Sequence, residues 1–398
     1  IPTGDDFAMR IDALAAAVER DRGFGFLRAL GVFVAAAGSP VVATFPGQGS
    51  HYANMGRALA GAEPVFRAIV EEFDDAYRTM TGRRLTASFW TDSPETWEQH
   101  DEDIHCAVMA INVALHRMLA ERGLAPFALV GQSAGELSAL VVARSLSIAD
   151  GLRAVWERTL AVLALERDDP GRMISIRAGK ERVEPLLVGL SGYAAIAADN
   201  GPGACIVSAD RTARNILVTR LTDSGIEHSV LAVSHGYHSA LIADARPAYQ
   251  AALRTLSFAE PSLPIWSTIT GGPLSAVRPD AMPEHLASQF VEPVRLRGAI
   301  EGAHRAGGRL FVECGPKWPL TTFTEAILGE REHVAQATLH PKVGETESGA
   351  RAIACLAVHG HLAGWPGVRR KRSSSGVMPA GSAPPEPEVE RPSPAEAQ

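Results

Sequence analysis

The chain has 398 residues, 46% hydrophobic and 21% charged, enough for a sizeable core and more than one subdomain. A net charge of −7 argues against a general nucleic-acid footprint. The apolar stretch 27–45 is broken by Arg28 and Gly38-Ser39-Pro40 and follows a long charged lead-in, so it makes neither a membrane span nor a signal peptide. Four widely spaced cysteines, Cys106, Cys205, Cys314 and Cys355, match no metal-ligand spacing and read as reduced thiols of a cytoplasmic protein. The first residue is Ile1 rather than Met, so the chain reads as a piece of a longer polypeptide.

Taken in order, residues 7–37 predict two helices broken near Gly23. Residues 41–45 predict a β-branched strand that runs into Pro46-Gly47-Gln48-Gly49-Ser50, a strand-end turn of the kind on which α/β enzymes build sites. Helices are predicted over 63–78, 104–122 and 146–167, with a short apolar strand over 127–130. The pattern then changes to strand 173–177, helix 180–190, strands 193–198 and 204–208, helix 211–224 and strand 228–233. That β-α-β-β-α-β order within about 60 residues is ferredoxin-like and reads as a small insert in a larger unit. Helix 242–256, strands 265–269 and 309–313, and helix 348–362 follow. From Arg369 the chain is a basic run followed by Ser, Pro, Glu and Ala, which has too few apolar residues to order itself and reads as a linker.

The chemistry centres on Gly131-Gln132-Ser133-Ala134-Gly135, which fits Gly-x-Ser-x-Gly between the strand at 127–130 and a segment of helical length. Strand, sharp turn and helix is the setting of a nucleophile elbow, and the helix that follows aims its free N–H groups at the serine. Ser133 is the candidate nucleophile. Its proton needs a base. In Ser234-His235-Gly236-Tyr237-His238-Ser239, just past the last strand of the insert, His235 and His238 are near-equal candidates, and two surface histidines would be as reasonable. An oxyanion hole would draw on the N–H of Ala134 and on the loop at Gln48. By sequence physics alone Arg158 belongs in solvent; pointed inward, it would need a carboxylate partner, and a substrate would serve.

Together these residues resemble the acyltransferase domains of modular polyketide and polyunsaturated fatty acid synthases and the malonyl-CoA:acyl carrier protein transacylases. The resemblance covers about residues 41–365 and rests on Phe45 to Ser50, Gly131 to Glu136, His235 to Ser239, Pro293-Val294-Arg295 and Phe311 to Pro316, in the family's order. It implies a large α/β-hydrolase-like subdomain with a parallel sheet (41–171 and 240–345) and an inserted small ferredoxin-like subdomain (172–239). These lie between N-terminal linker helices (1–40), a segment following the acyltransferase (346–368) and a tether (369–398). It further implies Ser133 as nucleophile and His238 as base, in a dyad rather than a triad. Asp199, Asp210 and Asp223 are the acids a triad would have to choose among. The family's oxyanion donors are the backbones of Gln48 and Ala134, its carboxylate clamp falls on Arg158, and the carbonyl of Gln289 orients the histidine. Gln132, His51 and His105-Cys106 stand where relatives usually carry His, Gln and Gln-Pro, and two of these positions line the site in relatives. An aromatic residue before the base, Tyr237 here, goes with malonyl rather than methylmalonyl in the family.

The implied reaction carries a malonyl-type unit from malonyl-CoA to the phosphopantetheine thiol of an acyl carrier protein, with no permanent cofactor and no metal. Neighbouring ketosynthase and carrier domains are the expected partners, with neither nucleic acid nor membrane. The alternatives are an acyl-hydrolase that clears carrier-bound chains, which needs no carboxylate clamp, and a non-catalytic spacer, which needs neither Ser133 nor His238.

Overall fold

The computed structural model describes residues 38–94 and 100–361; the helices expected over 7–37 and the linker from Arg369 lie outside the described residues. The strand β1 (Val41–Phe45), Val-Val-Ala-Thr-Phe, is buried along its whole length. Its chain continues through the loop 46–50 into α1 (Arg57–Ala62) and α2 (Pro64–Thr81). Pro64 opens α2 where its missing N–H costs nothing, and Gly82 ends it in the left-handed conformation, φ 78°. The next helix, α3 (Asp101–Ala120), is apolar on all sides and buried on all sides, and three acidic residues in its first turn meet the positive end of the helix. Then come β2 (Ala128–Gly131), α4 (Gly135–Val142) and α5 (Ile148–Leu163), whose N-cap Ser147 accepts from the Asp150 N–H.

The insert follows: β3 (Arg172–Ile176), α6 (Lys180–Leu187), β4 (Ala194–Asp199), β5 (Cys205–Ala209), α7 (Arg211–Asp223) and β6 (His228–Val230). The chain then returns through a 3₁₀ segment, Ala240–Ala245, to α8 (Arg246–Leu253), so the helix expected over 242–256 starts later than its apolar pattern suggests. It continues with β7 (Ile265–Ser267), β8 (Gly272–Pro273), α9 (Met282–Ser288), α10 (Leu296–Arg305), β9 (Leu310–Pro316), α11 (Pro319–Leu328), β10 (Val334–Leu339) and α12 (Glu345–Val358).

Two sheets result. The larger runs in the order β10-β9-β1-β2-β7-β8, parallel except for the final pair. Alternation along its strands feeds two cores. Val41, Ala43 and Phe45 pack with α3, α4 and α5 on one face, while Val42, Val130 and Phe311 pack with α10 and α11 on the other. The smaller sheet runs β4-β5-β3-β6, antiparallel throughout, over a core of Ile174, Val207, Leu217 and Leu221 contributed with α6 and α7. This is the ferredoxin-like order, on the α/β architecture the sequence implies.

The two sheets meet along a seam. The Asp199 N–H donates to the Val294 carbonyl and the Val294 N–H to the Ala197 carbonyl, both at 2.8 Å, so the edge strand of the insert pairs with the stretch that precedes α10. Among the described residues no helix is long and apolar enough to cross a membrane.

Candidate active site

The centre of the site is set by how tightly β2 turns into α4. A Cβ on Gly131 would come within 2.3 Å of the Glu136 backbone, and one on Gly135 within 2.1 Å of the Phe45 carbonyl oxygen, so only glycine fits at either position. Ser133, between them, is held at φ 52°, a left-handed conformation that costs a non-glycine residue about 1–3 kcal/mol and persists only where its surroundings fix it. They do. The Ser133 N–H donates to Thr268 Oγ1 at 3.2 Å, and Thr268 in turn donates to the Gly131 carbonyl at 2.8 Å. The Ser133 carbonyl accepts from Gln289 Nε2 at 3.0 Å and from the Glu136 N–H at 2.9 Å.

The two histidines near-equal in the sequence are separated by the structure. His238 Nε2 lies 2.8 Å from Ser133 Oγ, and His238 Nδ1 lies 2.8 Å from the main-chain oxygen of Gln289. A carbonyl only accepts, so Nδ1 carries the hydrogen and Nε2 presents its lone pair to the serine hydroxyl. Burial, with the Arg158 guanidinium beside it, pushes the imidazole down to about 3, against the pull of the Gln289 and Glu292 carbonyls, so it is neutral at ordinary pH. His235 is buried too, but its ring meets Tyr237 edge-on at 6.2 Å and makes no hydrogen bond to Ser133. No carboxylate among the described residues hydrogen-bonds to His238. Asp210 caps α7, Asp199 faces Lys180 at 3.4 Å and Asp223 is exposed, so none of the three completes a triad.

Arg158 is not in solvent. It is 2% exposed, with Nε donating to Gln289 Oε1 at 3.1 Å and Nη2 lying 3.4 Å from Ser133 Oγ. The guanidinium carbon sits 5.8 Å from the ring centroids of both Tyr237 and Phe290. Burial lowers its pKa, opposed by Tyr249 and Tyr237. It forms no ion pair with any described carboxylate, which leaves a buried cation whose missing partner would be an anion in the cleft beside the serine.

The loop after β1 lies against the elbow. A Cβ on Gly47 would come within 2.7 Å of the Gln132 carbonyl and 3.4 Å of the Ala134 nitrogen. Asn112, buried within α3, donates to the Pro46 carbonyl at 2.9 Å and to Ser138 at 3.1 Å, and Ser50 donates to the Gly47 carbonyl at 2.8 Å. Among the described residues neither the Gln48 N–H nor the Ala134 N–H has a protein acceptor, and the Ala134 N–H follows Ser133 at the N-terminal end of α4.

Two of the departures from the family pattern, Gln132 and His105, hydrogen-bond to partners other than Ser133. Gln132 donates through Nε2 to Asn200 Oδ1 at 2.9 Å, across to the insert. His105 Nδ1 lies 2.8 Å from Thr159 Oγ1, one residue past Arg158, and burial together with Arg158 and His51 pushes this histidine down to about 3. Tyr237 is buried, with its hydroxyl 3.2 Å from Ser234 Oγ.

Sequence reasoning did not single out Thr268, Glu136, Asn112, Phe290 or the side chain of Gln289. Glu136 and Asn112 carried a usable signal, because each is a polar residue in an otherwise apolar helical run and such a residue is buried only with partners. Glu136 accepts from the Thr268 N–H at 3.1 Å and faces His285 Nε2 at 3.0 Å. Thr268 lies in a short connection after β7 and carried none.

Residues 42–365 match the family model described as the acyl transferase domain. The chain is 32% identical over 329 residues to a spectinabilin polyketide synthase system protein of Streptomyces orinoci, covering 81% of this chain and 9% of that one. It is 30% identical over 352 residues to the erythronolide synthase EryA3 of Saccharopolyspora erythraea, covering 86% of this chain and 11% of that one. It thus spans about a tenth of the length of these relatives. Among solved structures, the acyltransferase domain from the second module of the salinomycin polyketide synthase superposes with a TM-score of 0.74 at 30% identity, covering 82% of this chain and 75% of that one. A malonyl-CoA:acyl carrier protein transacylase from Xanthomonas oryzae pv. oryzae superposes at 0.71 and 26% identity, covering 80% of this chain and 99% of that one. The chain belongs to the acyl transferase domain family.

Proposed function

We propose that this domain moves a malonyl-type acyl group from CoA to the phosphopantetheine thiol of an acyl carrier protein, through an ester on Ser133. The observation that carries this reading is Arg158, a buried guanidinium with no carboxylate partner among the described residues and 3.4 Å from Ser133 Oγ. A free malonyl carboxylate supplies the missing anion and fixes the thioester carbon over the nucleophile. Similarity to polyketide synthases and to a malonyl-CoA:acyl carrier protein transacylase supports the same substrates.

In the first half-reaction Ser133 Oγ attacks the thioester carbon as its proton passes to His238 Nε2. The thioester oxygen takes the negative charge and meets the free N–H groups of Gln48 and Ala134. Collapse breaks the carbon–sulfur bond, and the imidazolium returns its proton to the CoA sulfur. In the second half-reaction the carrier thiol gives its proton to His238 and attacks the acyl-serine; collapse breaks the ester bond and the proton goes back to Ser133 Oγ. The imidazolium of each step needs a stabilising acceptor, and the Gln289 carbonyl on Nδ1 fills the place a carboxylate takes in a triad. The setting is a cytoplasmic synthase in which ketosynthase and carrier domains flank this one. No observation favours the hydrolase alternative, since a neutral acyl chain leaves Arg158 unpaired.

The test is the intact mass of the protein after mixing with malonyl-CoA, with Ser133→Ala as control, followed by a chase with holo carrier protein. The expected result is a malonyl adduct on the wild type alone that leaves onto the carrier. No adduct, or release as free malonate faster than transfer, overturns the reading.

A further inference from the structure

One residue touches all three working parts of the site. Gln289, 4% exposed at the end of α9, offers its main-chain oxygen to His238 Nδ1 at 2.8 Å. Its side chain does something separate. Oε1 accepts from Arg158 Nε at 3.1 Å, and Nε2 donates to the Ser133 carbonyl at 3.0 Å. The orientation of the amide is forced by its partners, because a guanidinium N–H can only donate and a carbonyl can only accept.

We propose that the Gln289 side chain is a positioning and specificity residue, which holds Arg158 turned toward the acyl site while leaving its charge uncompensated. The inference rests on Arg158 acting as the carboxylate clamp. Among the described residues Arg158 forms no ion pair; beyond Gln289, its guanidinium carbon lies 5.8 Å from the ring centroids of Tyr237 and Phe290, contacts with no hydrogen-bond direction to fix its rotation, and Nη2 approaches Ser133 Oγ at 3.4 Å. Gln289 Oε1 takes up the Nε edge, so the Nη edge remains for a substrate carboxylate. The acceptor must be neutral. A glutamate at this position would be isosteric, but it would pair with Arg158 inside the protein and remove the positive charge that selects an anionic acyl group. It would also bring a carboxylate oxygen up against the Ser133 carbonyl.

The test is self-acylation kinetics with malonyl-CoA and with acetyl-CoA, for wild type, Gln289→Ala and Gln289→Glu, with melting curves on each. Gln289→Ala should lower the second-order rate constant for malonyl-CoA by about 10- to 100-fold, the value of a hydrogen bond to a charged group. The loss should fall chiefly on KM and be smaller for acetyl-CoA, so the malonyl-to-acetyl ratio drops. The pH dependence of malonyl self-acylation, measured on the same variants, should keep its acid limb where it is in the wild type, because the carbonyl that orients His238 belongs to the main chain. Gln289→Glu should lower the ratio further, and Gln289→Met, which keeps the volume but not the acceptor, should behave like alanine. Equal losses on both acyl donors, or an unchanged ratio in all three variants, overturn the proposal. If alanine does not fold, methionine and glutamate carry the same comparison. A wild type that prefers acetyl-CoA would instead overturn the assignment of Arg158, and the two failures are told apart by that first measurement.

Discussion

At the scale of residues, the site depends on charges that are absent as much as on those present. Among the described residues Arg158 is a cation without a counter-ion, and His238 is an imidazole kept neutral. Removing one partner of a desolvated charge pair costs roughly 2–5 kcal/mol, so Arg158→Ala should lower malonyl self-acylation by about 30- to 5,000-fold while acetyl-CoA becomes a better donor. Arg158→Lys should recover little, since a point charge reproduces neither the fork nor the stacking between Tyr237 and Phe290. A malonyl-to-acetyl ratio untouched by alanine would return Arg158 to a structural role. His238 makes a second prediction. Its pKa in the folded domain lies well below that of a free imidazole, so kcat/KM for self-acylation should stay flat from pH 8 down to about 6, where an ordinary histidine would already have lost much of its free base. A half-loss near pH 6.5 would mean that the base is more exposed than its burial indicates. Ser133 was legible because Gly-x-Ser-x-Gly has a steric reason: Gly131 and Gly135 face backbone at 2.3 and 2.1 Å. The choice between His235 and His238 was not, since they sit three residues apart on one connection and only the fold decides which reaches the serine. The burial of Arg158 was hidden for a different reason. Its neighbours on α5 are mixed, and what pulls it inward is the pair of rings and an amide that arrive from residues 237, 289 and 290.

Elements were readable where local chemistry and tertiary demand agree. β1, with its β-branched run, and α3, with its long apolar stretch, satisfy both. α10 and β10 do not. Gly298 and Gly302 lower the helical propensity of Leu296–Arg305, yet a Cβ at residue 302 would enter the Trp266 ring at 2.3 Å, so tertiary packing requires what local propensity argues against. β10, Val-Ala-Gln-Ala-Thr-Leu, has few strand-forming side chains and is a strand because β9 offers it an edge. The N-terminus of α1 shows the same dependence on distant partners. Having no capping side chain of its own, it is capped by Glu345 from the start of α12: one oxygen accepts from the Gly56 N–H at 2.7 Å and from Tyr52 Oη at 2.8 Å, the other from the Ala58 and Leu59 N–H groups at 3.0 and 3.3 Å. Glu345→Ala should therefore cost about 2 kcal/mol in chemical denaturation, toward the upper end for a lost cap, and Glu345→Gln less, since one acceptor oxygen survives. Equal stability of alanine and wild type would show that α1 holds without this carboxylate.

Across the whole molecule the buried histidines make folding sensitive to acid. His105 and His238 are pushed down to about 3 and His116 to about 4, in each case first by burial. In the unfolded chain the same rings protonate near pH 6.5. Below that value the unfolded state binds protons that the folded state refuses, so stability is fully present above about pH 6.5 and is lost as pH falls toward 4 and 3. Each such group removes up to ~1.4 kcal/mol per pH unit in this window, and three together up to ~4, offset by up to ~1.4 from the Glu313 carboxyl, which burial pushes up to about 8. The urea midpoint should drop steeply between pH 6.5 and 5, and His116→Gln should flatten that slope without touching the acyl site. A midpoint that does not move over this interval would show that these rings protonate in place.

The seam between the two sheets has a consequence for exchange of parts. Two of its bonds, Asp199 N–H to Val294 O and Val294 N–H to Ala197 O, join main chain to main chain and are indifferent to side-chain identity, proline excepted. The bond from Gln132 to Asn200 does depend on identity, and it starts on the residue next to the nucleophile. The main-chain part of the seam could therefore be remade by the edge strand of an insert transplanted from a relative, provided small residues stand at 197 and 198. The residues at 132 and 200 would have to travel as a matched pair, or the elbow would turn an unanswered amide toward its new neighbour. Compatibility between lobes of different ancestry then includes a two-letter code beside the nucleophile, in addition to the Glu181–Arg297 ion pair and the close packing of Gly201 on Ile327.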